Sequence, residues 1–286
     1  MSSKREIQIR APTIKEKDEF YKVYKSGLPG VDEISSKDFA EWWKRSYEKG
    51  DLEKLWRVAV HGDAVIAVII NLVNEQLNWG FVWELAVHPE YRNQDIGTKL
   101  ILESEKLLQR YHPEIMDLAI GVKTNNLRAM ALYEKLNYGI RFLELRLRGK
   151  RWSSEQRSEL SVEAASLDRI KDLMKLVPHA YWGMHSEEVW KEIIKPEDRM
   201  LVTKMNRLVG FVRVTKQKKK TSSSDIQFNI KPGYGMQVLN SCMELIDTDY
   251  IELWIENNHQ DILDTLYSRG FKRIESEFLL RKSLPR

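Results

Sequence analysis

Cysteine is almost missing from this chain: there is one, Cys242, in 286 residues. A single thiol excludes an internal disulfide framework and any multi-cysteine metal site. Cys242 lies in an apolar helical stretch and reads as a core residue. Long apolar runs are missing as well. None approaches the ~18–20 residues that a membrane span needs. The opening segment MSSKREIQIRAPTIKEKDEF has no apolar core of a secretory signal. The expectation is a cytoplasmic protein without a membrane partner. The six histidines do not cluster at ligand spacing, and no His-Glu-x-x-His or paired-cysteine motif occurs, so no metal is expected. There is no Gly-x-Ser-x-Gly elbow and no Walker loop. Charge of one sign is also lacking. The 46 basic and 42 acidic side chains leave a net +4, too small and too mixed for a nucleic-acid binder. The run Lys218, Lys219, Lys220 has no interleaved aromatics and reads as a solvated hairpin loop.

What is present is an ordinary globular balance, 42% hydrophobic and 31% charged. The length suits two domains of about 140 residues. Strands are expected at 6–10, 55–60, 65–73 and 79–87, and helices at 14–26, 36–49 and 96–111. A strand over MDLAIGVKT, a helix starting after Asn126 and a strand over IRFLELRLR complete the first half. The polar, aperiodic segment GKRWSSEQRSE at 149–159 marks a boundary, giving domains 1–150 and 151–286.

The second half repeats the order. A strand at Ser161-Val162, helices at about 167–176 and 186–194, a hairpin turning at MNR, the strand DIQFNI, a helix near 235–246, the strand YIELWIE, a short helix and a last strand follow in turn. Aligning Asn137-Tyr138 with Gly270-Phe271 sets an offset of 133 residues. Under it Leu118, Ile120 and Val122 fall on Ile251, Leu253 and Ile255, so the apolar alternation survives in both copies.

The segment VWELAVHPEYRNQDIGTKLI carries chemistry. A strand ends, a short polar loop follows, and a helix begins at Gly97-Thr98. Unpaired N–H groups and the positive dipole end at such a helix start suit a pyrophosphate. This segment resembles motif A of the GNAT superfamily of acyl-CoA-dependent acyltransferases, with Arg92, Asn93, Gln94, Asp95, Ile96 and Gly97 on its Arg/Gln-x-x-Gly-x-Gly/Ala pattern. NNLRAMALYEKLNY resembles the family's motif B, with Asn126, Ala129 and Tyr133 at its positions.

The resemblance implies α/β architecture: two tandem GNAT-like domains, each a mixed, mostly antiparallel sheet flanked by helices. It implies acetyl-CoA as cosubstrate and a small-molecule or protein amine as acceptor. Leu85, Ala86 and Val87 would offer strand backbone to the pantetheine arm. Arg92, Asn93, Gln94, Asp95, Ile96, Gly97 and Thr98 would wrap the pyrophosphate, and Asn126 would hold the cofactor arm. Glu84 would serve as base and Tyr133 as acid.

Two positions depart from the pattern. Asp95 replaces the first glycine of the loop. It tolerates a left-handed backbone, but its charge weakens CoA binding unless Arg92 and Lys99 offset it. Asn137 replaces the glycine of the usual Gly-Phe pair, where a positive-φ helix cap is expected. The second copy departs further. Gly233 and Gly235 survive, but Ile230 stands at the leading arginine position, His259 at the asparagine and Leu266 at the tyrosine. The expectation is a second half of GNAT shape without catalysis. A CoA-binding or partner-binding module without turnover is the alternative for the whole chain. Acceptor contacts are sought in Asp32, Glu33, the aromatic group Phe39, Trp42, Trp43 and Tyr47, and the Tyr181-Trp182 pair.

Overall fold

Period-two alternation at the start of the chain becomes β1 (Ile7–Arg10). In this computed structural model the described residues are 6–27, 34–74, 78–153, 159–177, 186–203, 205–216, 223–231 and 233–285. Asp32, Glu33, Tyr181, Trp182 and Lys218–Lys220 lie outside them. After β1 come α1 (Lys17–Gly27), α2 (Ser36–Lys49), α3 (Asp51–Lys54), β2 (Trp56–His61), β3 (Ala64–Asn74) and β4 (Trp79–Val87). Then follow α4 (Ile96–Tyr111), β5 (Asp117–Lys123), α5 (Leu127–Lys135) and β6 (Gly139–Lys150). The second copy runs β7 (Leu160–Ala164), α6 (Ile170–Met174), α7 (Glu187–Ile193), β8 (Arg199–Thr203), β9 (Leu208–Lys216) and β10 (Ser223–Ile230). It ends with α8 (Gly235–Met243), β11 (Tyr250–Glu256), α9 (Gln260–Ser268) and β12 (Lys272–Ser283).

The offset of 133 is kept to the residue. It carries the bounds of β5 onto β11, of α5 onto α9 and of β6 onto β12. It also carries the helix-terminating bond Tyr138 N to Tyr133 O, 3.0 Å, onto Phe271 N to Leu266 O, 3.0 Å. Asn137 has φ 65° and its counterpart Gly270 φ 81°, so asparagine does supply the left-handed cap.

Two compact units result. The first holds residues up to Val122, Asn126–Gly139 and Leu280–Arg286; the second holds Lys123–Asn125 and Ile140–Leu279. This division departs from one at 150. Strand β6 pairs with β11 of the second copy from Glu144 opposite Glu256 to Lys150 opposite Tyr250. The chain's last residues return to the first unit: Leu284 N bonds Met116 O at 2.9 Å, and Lys282 Nζ reaches both oxygens of Glu105 at 2.8 Å.

In the first unit the strand order is β1-β2-β3-β4-β5, antiparallel except for parallel β4/β5. Its core includes Phe20, Phe39, Trp43 and Trp56, each at most 2% exposed, with Phe20 and Trp43 edge-to-face at 5.2 Å. The aromatic group of α2 therefore divides: Phe39 and Trp43 are core, while Tyr47 is exposed. In the second unit β6, β11, β10, β9, β8 and β7 lie side by side, with β10/β11 parallel. Its core is built on Leu147, Ile251, Leu253, Val238, Leu239, Leu263 and Leu266, with Cys242 buried among them.

Candidate active site

Parallel pairing of β4 with β5 begins at Trp79 opposite Asp117 and ends at Val82 opposite Ile120. On its other edge β4 pairs with β3 throughout, but the register shifts between Ile70 and Asn71 and leaves Trp83 as an extra residue. Such a bulge bends a strand and sharpens its twist. Asn71, fully buried beside it, donates from Nδ2 to Leu55 O at 2.6 Å and to Ser104 Oγ at 2.9 Å. Beyond the bulge, the Trp83–Val87 backbone is outside the β5 ladder and has groups to offer elsewhere.

Helix α1 lies against this stretch. A Cβ on Gly27 would stand 2.6 Å from Ala86 Cβ, so only glycine allows the approach. One turn earlier Tyr24, 4% exposed, hydrogen-bonds the Glu84 carboxylate. Burial first, then the negative charge of Glu84, pushes the Tyr24 phenol up to about 12. The third group is Tyr133 on α5, 6% exposed. Its phenol is raised well above its ordinary value, by burial first and by Glu84 second. The charge of Glu84 thus acts on both Tyr24 and Tyr133. The sequence signal for Tyr24 was its place on the buried stripe Phe20, Val23, Tyr24 of α1.

The loop before α4 takes a left-handed backbone twice, at Asn93 (φ 64°) and Asp95 (φ 56°). Asp95 thus adopts the conformation of the glycine it replaces. The first bond of α4 is Lys99 N to Asp95 O, 3.0 Å, so the N–H groups of Ile96, Gly97 and Thr98 have no intrahelical acceptor. Asn93, Gln94 and Asp95 are exposed, Gly97 and Thr98 half-buried, and the Ile96 side chain is in the core at 1%. A Cβ on Gly97 would press on Leu132 Cδ2 at 3.2 Å. Leu85 and Val87 are half-buried and Ala86 is fully buried.

Arg92 stands half-buried at the loop entrance. Its Nε donates to Val87 O at 3.1 Å and its Nη2 to Gly27 O at 3.2 Å, tying the loop to β4 and α1. The cation nearest Asp95 is Lys135, with Nζ–Oδ1 at 3.8 Å, and Arg128 Nη2 donates to Asn93 Oδ1 at 2.5 Å. Both come from α5. Asn126 caps that helix, its Oδ1 accepting from Ala129 N at 3.1 Å.

A strand that splays from its parallel neighbour after a bulge, facing a helix start with free N–H groups, is the geometry the paired motifs anticipate. Residues 17–138 match the family model described as the acetyltransferase (GNAT) family. That segment is similar to GNAT acetyltransferases. Over 136 residues the chain is 26% identical to an uncharacterized N-acetyltransferase of Methanocaldococcus jannaschii, and the match covers 46% of this chain and 59% of that protein. The GNAT fold extends over both copies. A GCN5-related N-acetyltransferase structure from Sphaerobacter thermophilus is similar over 98% of this chain and 96% of its own, at TM-score 0.67 and 15% identity. A tandem GNAT protein from the clavulanic acid biosynthesis pathway is similar over 98% of this chain and 99% of its own, at TM-score 0.63 and 10% identity. Among the described residues no helix is long and apolar enough to cross a membrane, and no three His, Cys, Asp or Glu side chains group to hold a metal.

Proposed function

We propose that the GNAT domain transfers an acetyl group from acetyl-CoA to a primary amine, on a small molecule or a protein, by direct attack. Acetyl-CoA supplies an activated thioester, an electrophilic carbonyl with a thiolate leaving group. The charge of Glu84 acting on Tyr133, beside β4 backbone that has left the β5 ladder, carries the reading.

The residues present suit that cosubstrate. Leu85, Ala86 and Val87 are paired with β3 but lie beyond the β5 ladder, so the edge of β4 left open there suits the amides of a pantetheine arm. The N–H groups of Ile96, Gly97 and Thr98 suit a pyrophosphate. Arg92 holds the loop in shape from behind. Asn93, Gln94 and Asp95 form its exposed rim, with Lys135 and Arg128 adding positive charge, and Asn126 keeps its amide nitrogen for the cofactor arm.

Glu84 accepts a proton from the substrate ammonium, which near pKa ~10.4 must be deprotonated before it attacks. Tyr24 steadies that carboxylate. Tyr133, kept protonated by burial, donates to the leaving sulfur. Aromatic residues around the carboxylate keep the proton transfers away from bulk water.

The test is to mix the protein with acetyl-CoA and a panel of amines, follow free thiol, and measure acetyl-CoA binding by calorimetry. Thiol release that depends on an amine supports the reading. No release with any amine and no heat of binding would sink it.

A further inference from the structure

The second copy splays its own parallel strands, but over a cleft of different charge. β10 and β11 pair from Ser223 opposite Tyr250 to Ile226 opposite Leu253 and then part. Beyond that point lies a small cleft open to solvent, whose lining includes Phe228, Asn229, Trp254, Glu256, His259 and Glu144.

Glu256 ends β11 and is 6% exposed. Its Oε2 accepts from Asn258 Nδ2 at 2.9 Å, while its Oε1 is buried without a hydrogen-bond partner. A buried carboxylate oxygen left without a donor is costly, and native structures seldom keep one without a reason. Directly opposite Glu256 in the antiparallel register stands Glu144 on β6. Like charges facing one another across strands destabilise the pair. The neighbouring rungs on this face are built the other way. Arg148 is opposite Glu252, and Arg146 is opposite Trp254 with its guanidinium 5.8 Å from the indole. Glu277 lies in the same field: burial, then Glu144 and Glu275, raise its carboxyl above the usual range, against the cation of Lys123.

The repeat sharpens the contrast. At the offset of 133, Glu256 corresponds to Lys123, which pairs with Glu275 at 2.7 Å. The charge at this position is therefore inverted between copies. The second copy is also unsuited to a pyrophosphate. Ile230 stands where the loop arginine would be, and Gly235 serves packing, since a Cβ there would meet Ile262 Cγ1 at 2.5 Å.

We propose that this cleft binds an alkylammonium group, with Glu256 Oε1 as its buried acceptor. An ammonium supplies the N–H donor that Glu256 Oε1 lacks. The indole of Trp254 and the ring of Phe228 receive the attached methylenes and attract the cation through their faces. Occupancy of the cleft is independent of turnover in the GNAT domain.

The experiment is calorimetric titration of the full chain with putrescine, with butanediol as the uncharged analogue of similar shape, in matched salt. Putrescine should bind and butanediol should not. Glu256→Gln and Glu144→Gln should each weaken putrescine binding roughly tenfold or more, the scale of a charge-assisted hydrogen bond. Acetyl-CoA binding should be unchanged in both variants. Without ligand, Glu256→Gln should melt no lower than the parent, because it removes the charge from a buried carboxylate whose Oε1 has no donor. No putrescine binding, equal binding of butanediol, or undiminished binding in both folded variants would overturn the proposal.

Discussion

The Tyr24 phenol on α1 hydrogen-bonds the Glu84 carboxylate on β4, two residues past the end of the β5 ladder at Val82. The helix that covers the splayed strand therefore also holds its one acidic side chain. Tyr24→Phe should lower kcat/KM by about tenfold or less, because it removes one hydrogen bond and not the base itself. It should also cost about 1 kcal/mol of stability. Steady-state kinetics with a thermal melt checks both; unchanged kinetics would separate Tyr24 from the site.

Glu84→Gln should lower kcat by about 10²–10⁴-fold, the usual range for loss of a positioned base, with little change in acetyl-CoA affinity. Tyr133→Phe should act in the same direction by roughly 10²-fold. The folded-state rise of the Tyr133 and Tyr24 phenols has a stability consequence of known sign. Their protonated forms favour the fold, so stability should fall as pH climbs through the ordinary phenol range toward about 12. Tyr24→Phe should flatten part of that alkaline loss in a pH series of denaturant melts.

Asp95 puts a carboxylate where the loop calls for a left-handed backbone, and asparagine satisfies that conformation without the charge. Asp95→Asn should tighten acetyl-CoA binding by about three- to tenfold, a Coulomb effect reduced by Lys135 and by salt. Asp95→Ala removes the same charge but strains φ 56°, so it should tighten binding less and lower the melting temperature. Calorimetry at two salt concentrations distinguishes charge from backbone.

Lys282, three residues before the last one described, closes a network on the first unit. Its Nζ lies 2.8 Å from both oxygens of Glu105, whose Oε1 also accepts from Tyr138 at 3.0 Å. Lys282→Met leaves a mostly buried carboxylate with one donor and should cost about 3 kcal/mol. Urea denaturation measures it; a cost below about 0.5 kcal/mol would mean the pair is as weak as an exposed one.

Glu16 is held down to about 2 by its bond to Arg10, against burial, with help from the Thr13 N–H. A depressed carboxyl stabilises the fold above its ordinary range, and the effect is lost as pH falls from 4.5 toward about 2. Arg10→Met should cost about 1–2 kcal/mol near neutrality and almost nothing at the acid end, as read by melts across that window.

Much of the fold was legible in the chain itself. Period-two and 3.6-residue patterns located β4 and α4 at the bounds the structure shows, because such patterns are local. The repeat at 133 was visible for the same reason. So were the left-handed positions at Asp95 and Asn137, since backbone preference belongs to the residue and its neighbours. Packing alone decided the rest. Arg92 is legible as a charge at the loop entrance, but its bonds to Val87 O and Gly27 O exist only once α1 is folded over it. Tyr24 reads as a core aromatic until β4 bulges and brings Glu84 to its hydroxyl. Lys282 meets Glu105 only when the last strand returns to the first unit, across 177 positions of chain. Glu144 and Glu256 are ordinary surface-type residues in sequence, and only the β6/β11 register sets them face to face. Periodicity and backbone preference are written within a few residues. Register, bulges and strand exchange depend on which distant segments pair, and that is settled by the burial they achieve together.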